Sequence, residues 1–263
     1  YDESQIEQGR NFNNKVWNAF RLVTGWTVDA AAQQPEASAV AVKWFENKLS
    51  QVVETVEDHF SKFRISDALM TIYKFFWDNF CAWYLEAVKP AYGAGIDKAT
   101  YDATICFFDA LLKMIHPIMP FITEELWQNM AERKPGETIM NQRYPQAKAY
   151  DADFIAAFEM ASEAVAGVRN IRQSKNLSPR EALDLKIKGD FPAEVLPVVM
   201  KLANVTVGQA EGDMSAAQRF MVRTVEMFVP LTGLINVEEE IAKLEAELAY
   251  QQKFLDSVRK KLS

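Results

Sequence analysis

The chain has 263 residues, 49% hydrophobic and 12% aromatic, which is enough for a packed core and, by length, for two domains. A net charge of −7 argues against a strongly basic, non-specific nucleic-acid binder, because neutralising phosphates needs clustered Lys and Arg; a local basic patch on an acidic molecule stays open. No apolar run approaches the ~20 residues needed to cross a bilayer and no basic-then-apolar leader stands at the start, so a cytoplasmic protein without a membrane partner is expected.

The first residue is Tyr1 rather than Met, and Ser263 falls inside a periodic segment, so both ends are expected to be cut ends. Segment 4–24 reads as a helix with divided faces. At about 100° per residue, Phe12, Val16, Ala19 and Val23 share one side, while Arg10, Asn11, Asn14, Lys15, Asn18, Arg21 and Leu22 fall on the other. Gly25 marks a stop, and 26–37 reads as a loop ending in Gln34-Pro35. Ser38 is the expected N-cap of a helix at 39–60, whose stripe of Val42, Phe45, Leu49, Val52 and Val56, with Phe63 at its frayed end, is expected to face a core.

The helix expected at 66–88 is apolar around most of its circumference, with Phe75, Phe76, Trp77, Phe80, Trp83 and Tyr84, and so belongs in the middle of a bundle. One narrow polar stripe remains: Thr71, Lys74, Asp78, Glu86 and Lys89, with small Ala82 in line. A fourth helix at 98–116 meets His116-Pro117-Ile118-Met119-Pro120, where two prolines force a jog and Pro120 starts a helix at 121–132.

Residues 132–149 have a linker composition. They lead into a helix at 152–174, after which the period changes: Leu183, Leu185 and Ile187 alternate with Asp184, Lys186 and Lys188 as in a half-buried strand. A short helix is expected at 192–202, a strand around Val205 and Val207, and another strand within Phe220 to Val229. From 236 to 263, Val237, Ile241, Leu244, Leu248, Leu255, Val258 and Leu262 fit heptad positions, and Asn236 with Glu239 resembles a capping box. The expected fold is mainly α: a helical bundle at 1–131, a linker at 132–149, a small α+β junction domain at 150–235 and a coiled-coil helix at 236–263.

No catalytic constellation is legible, and a carboxylate pair on a helix is usually a solvated face. Cys81 and Cys106 sit singly among aromatics and read as buried free thiols; His59 and His116 lack metal-ligand spacing, so no metal site is expected. The first helix is the best candidate for recognition. Its Arg, Asn and Lys side chains suit phosphates and base edges, and Trp17 and Leu22 could touch an unstacked base. A solvated face is the other reading, although Asn is a poor helix former.

Four segments carry a resemblance. Gly9-Arg10-Asn11-Phe12-Asn13-Asn14-Lys15-Val16-Trp17-Asn18-Ala19 resembles the entry to the anticodon-binding bundle of the valyl-tRNA synthetases. Phe75-Phe76-Trp77-Asp78-Asn79-Phe80-Cys81-Ala82-Trp83-Tyr84-Leu85-Glu86 resembles the central helix of that bundle. His116-Pro117-Ile118-Met119-Pro120 through Trp127 is similar to a signature shared with the isoleucine, leucine and methionine enzymes. Pro230-Leu231-Thr232-Gly233-Leu234-Ile235-Asn236 resembles the start of the coiled coil particular to the valine enzymes.

The resemblance implies a helical-bundle anticodon-binding domain that reads the anticodon of tRNA(Val). Lys15, Arg21 and Leu22 would reach it from one side and Leu85, Glu86 and Lys89 from the other, with Arg10, Asn14 and Asn18 on the same recognition face. Many family members have Phe where this chain has Leu22. Neither a His-Ile-Gly-His nor a Lys-Met-Ser-Lys-Ser type segment occurs, so no cofactor is expected here, and the ATP-dependent ligation of valine belongs to an upstream catalytic part. The terminal heptads imply a monomer able to self-associate through a truncated coiled-coil arm. The equivalent part of an isoleucyl or leucyl enzyme, or a helical protein-interaction scaffold, are the alternatives.

Overall fold

The computed structural model describes residues 3–215, 217–231, 248–249, 251–253 and 255. The coiled-coil helix expected at 236–263, with its heptads and capping box, falls outside the described residues apart from those few helical positions. Among the described residues the fold is mainly α with a small sheet, as the periodicities predicted. The chain divides into two compact units, Tyr1–Ser162 with Pro192–Leu202, and Glu163–Phe191 with Ala203–Ser263.

In the first unit, α1 (Glu3–Thr24) buries the stripe read from its sequence, Phe12, Val16, Ala19 and Val23. Helix α2 (Glu36–Ser61) starts earlier than expected. Its cap position is extended Pro35, and Ser38 is buried in the first turn without capping, because the small residues Ala37, Ser38 and Ala41 form the face that packs inward. The 26–37 loop also contains a short strand. Val28–Asp29 (β1) pairs in parallel with Ile96–Asp97 (β2), an alliance of distant residues that no local pattern announces.

Residues 65–88 form three segments rather than one α-helix: α3 (Ile65–Lys74), a π-helical stretch Phe75–Tyr84, and α4 (Leu85–Val88). The wider i→i+5 turn lets rings four residues apart stand in a column, Phe76 to Phe80 at 5.6 Å and Phe80 to Tyr84 at 5.5 Å. Phe45 of α2 is the hub of this core. Its ring lies 4.9 Å from Phe75, 4.8 Å from Tyr84 and 5.0 Å from Phe107. Such pairs add to burial by about 0.5–1.5 kcal/mol each. The Tyr84 hydroxyl is satisfied by Thr104 at 2.8 Å, and burial pushes its ionisation far up.

Helix α5 (Lys98–Ile115) is capped by Asp97, whose carboxylate accepts the Thr100 N–H at 2.8 Å. The proline jog follows as predicted, and α6 (Pro120–Met130) starts on Pro120. The imidazole of His116 bonds to the Thr123 hydroxyl at 2.7 Å across that jog, a structural role. Trp127 is buried, donating to Asp109 at 2.8 Å, with the Arg133 guanidinium 3.5 Å from its ring centre.

Helix α7 (Ala152–Ser174) is followed in the second unit by β3 (Leu183–Lys188), and α8 (Leu196–Ala203) precedes β4 (Val205–Gln209). The single strand expected within 220–229 is a hairpin, β5 (Ala217–Val222) and β6 (Val225–Pro230). Its two-residue turn begins at Arg223 with φ 53°. Without Gly or Asn the turn carries no signal in the sequence. The sheet order is β4-β3-β6-β5, with β3 parallel to β4 and antiparallel to β6. Buried Arg172 donates to the carbonyls of Ser178, Ala203 and Asn204 at 2.8–3.0 Å, tying the end of α7 to the loops that flank the sheet.

Both cysteines are free, but the buried-thiol expectation is corrected. Cys106 is exposed, because α5 turns Phe107 and Phe108 inward beside it. Cys81 is half-buried, and burial pushes its thiol up to about 12. Among the described residues no three His, Cys, Asp or Glu side chains gather as metal ligands, and no helix is long and apolar enough to cross a membrane.

Candidate nucleic-acid interface

The amphipathic pattern of α1 decides which of its residues are available. With Val16, Ala19 and Val23 turned inward, Arg10, Asn14, Asn18, Arg21 and Leu22 are exposed and Lys15 is half-buried. Arg10 is held by Glu7 one turn back at 2.9 Å, on a surface where such a pair contributes little. Trp17 and Leu22 keep 42% and 44% of their surface in solvent, so apolar contact area accompanies the polar face.

Contacts between helices advance in step. Phe12 meets Tyr73 at 5.0 Å and Phe76 at 5.6 Å, and three residues on, the Lys15 ammonium lies 5.0 Å from the centre of the Trp77 ring. Helix α1 and the 65–88 helix therefore run in the same direction. Helix α5 runs back between them, with Phe108 beside Phe20 and Thr104 beside Tyr84. Arg21 and Leu22 thus stand at the same end of the bundle as Glu86 and Lys89, the end closed by β1 and β2. The link from Lys15 to Trp77 was not legible in the sequence, where Trp77 reads only as core.

On the second side, Glu86 and Lys89 form an ion pair of 2.6 Å, their side chains 43% and 48% exposed. A Lys at a helix C-terminus suits the helix dipole. Lys201, which the sequence did not single out, adds a second ammonium there: its Nζ donates to the Lys89 carbonyl at 3.3 Å. Desolvation pulls the Lys201 pKa down, and Lys89 acts in the same direction, while Asp97 and Glu86 oppose it. Leu85 differs from its neighbours. It is 3% exposed and part of the core, so its side chain has no surface to offer a ligand.

The surface thus combines cations, amide donors and acceptors, the Glu86 carboxylate and apolar edges. That mixture suits single-stranded RNA, whose bases can be splayed out, better than a duplex backbone alone.

Residues 42–187, just over half of the chain, match the family model described as the anticodon-binding domain of tRNA ligase. The chain belongs to that family. The matched span takes in α4 with Glu86 and Lys89, while α1 precedes it. Among curated proteins, the chain is similar over its whole length to a valine–tRNA ligase of Parabacteroides distasonis, at 54% identity over 263 residues. Ligases of the same name from Porphyromonas gingivalis and Christiangramia forsetii are 52% and 42% identical. The chain spans 30% of the length of these relatives and matches their C-terminal part.

Proposed function

We propose that this anticodon-binding chain recognises the anticodon of tRNA(Val) and positions the tRNA for ATP-dependent aminoacylation with valine. The ligation itself, with its ATP, belongs to the remainder of a cytoplasmic valine–tRNA ligase. The observation that carries the reading is that Arg21 and Leu22 stand at the same end of the bundle as the Glu86–Lys89 pair, with Lys15 beside Trp77 further back along the same helix face. Arg10, Asn14 and Asn18 extend the first face along α1, and phosphate contacts from Arg10 and Arg21 would set the register while base contacts supply specificity. Leu85 supports this face from within, since its side chain is buried.

Competition binding tests the proposal. Labelled tRNA(Val) bound to the chain should resist displacement by tRNA(Phe) and yield to unlabelled tRNA(Val). Equal displacement by both would overturn it.

A further inference from the structure

Tyr92 is wholly exposed, at 108% of its reference surface, on the turn that follows α4. Phe63 and Phe121, two other rings left almost wholly in solvent, stand at the opposite end of the bundle, where α3 and α6 begin. Tyr92 stands at the end where Lys89, Arg21 and Leu22 are found. A turn residue is usually small or polar, and an unburied ring contributes nothing to the core.

The backbone beneath Tyr92 is firmly held. The Ala94 N–H bonds to the Ala91 carbonyl at 3.0 Å, closing a turn whose third position is Gly93 at φ +79°, the conformation a type II turn requires. Pro90 restricts one side of the turn, next to the Lys89 carbonyl that Lys201 grips. On the other side, the Ile96 N–H bonds to the Thr27 carbonyl at 2.8 Å, and β2 lies along β1. A Cβ at Gly95 would come within 3.0 Å of the Thr27 oxygen and the Asp29 side chain, so the two segments pass too closely there for a side chain. The segment that follows α1 and the turn that follows α4 are thereby locked together.

We propose that Tyr92 is a stacking platform for an unstacked base of the anticodon loop, an RNA-binding residue additional to those of the two helices. The proposal rests on the anticodon-reading function above. Every base has a π face, so a ring held open in advance accepts one without selecting its identity and with little ordering cost. Tyr92 therefore adds affinity and holds the loop open while Glu86 and its neighbours read base edges.

The test uses full-length ligase carrying this chain, with the KM for tRNA(Val) measured by aminoacylation. Tyr92→Ala should raise KM by about tenfold or more, in line with single base–aromatic stacks. Tyr92→Phe should stay near wild type, because it keeps the ring and loses only the hydroxyl. A 2-aminopurine placed in the anticodon loop should be quenched on binding wild-type and Tyr92→Phe enzyme, and remain bright with Tyr92→Ala. Since the ring is wholly exposed, all three proteins should melt alike. If Tyr92→Ala keeps the wild-type KM and quenching while Glu86→Ala alters anticodon preference, stacking is wrong and the anticodon reading stands. If both variants behave as wild type, the reading falls and the proposal with it.

Discussion

Glu86 is the residue whose chemistry is least explained by folding. Nearly half its side-chain surface is in solvent, and it pairs with Lys89 in the next turn at 2.6 Å. An exposed pair of that kind is worth a few tenths of a kcal/mol. A carboxylate close to RNA is repelled by phosphates, so in the proposed complex Glu86 would accept a hydrogen bond from a base amino group. Glu86→Ala in the full-length ligase should reduce discrimination between native and altered tRNA(Val) anticodons by about 1–3 kcal/mol, with little change in melting temperature. An unchanged preference for the native anticodon would make Glu86 an ordinary surface charge. The sequence marked Glu86 and Lys89 correctly as a polar stripe, because a polar residue among aromatics stands out. It could not mark Leu85 as buried, since a leucine beside a binding stripe looks the same whether it faces a base or a core.

At the scale of elements, the packing of α7 on β5 gives a measurable case of opposing effects. Gly167 is helical, where Ala would be favoured by about 1 kcal/mol. A Cβ at Gly167, however, would clash with the edge of the Phe220 ring. Gly167→Ala should therefore destabilise the protein by about 1 kcal/mol or more in denaturant titration, as overpacking does. In a Phe220→Ala background the same substitution should become stabilising, a change of sign that measures the coupling directly. A Gly167→Ala protein as stable as wild type would show that the ring moves aside freely.

Glu124 joins α6 to the segment after it. Burial raises its pKa, but hydrogen bonds from the Thr138 hydroxyl at 2.5 Å, the Gln128 amide at 2.7 Å and the Ile139 N–H at 3.2 Å outweigh that and hold it below the ordinary carboxylate value. A depressed folded pKa means the contribution is fully present above the unfolded value, about 4.3, and is lost as pH falls through the folded one. Glu124→Gln should cost about 1 kcal/mol at pH 7, and its melting temperature should converge with that of wild type in strong acid. A gap that persists at low pH would mean the loss comes from packing and not from charge.

For the whole molecule, a chain of net charge −7 that binds tRNA as proposed would do so through a confined surface. Binding of tRNA(Val) should weaken with salt, but with a log–log slope reflecting only a few neutralised phosphates, well short of the slope near −10 of a strongly electrostatic DNA binder. A slope that steep would place the contact on a broader basic surface than the two helix faces described above.

The sequence alone determined most helices of the described residues, the proline jog and the inward stripe of α1, because periodicity and proline geometry act locally and leave their mark residue by residue. It also determined the family likeness, which rests on ordered motifs along the chain. Tertiary structure alone decided the rest. The β1–β2 pairing, the grip of Lys201 on the Lys89 carbonyl and the placement of Lys15 over Trp77 join residues far apart in sequence, whose meeting has no local signature. The π-helical turn of Phe75–Tyr84 belongs with them, since it is the crowding of rings around Phe45, and not helix propensity, that favours a wider turn there.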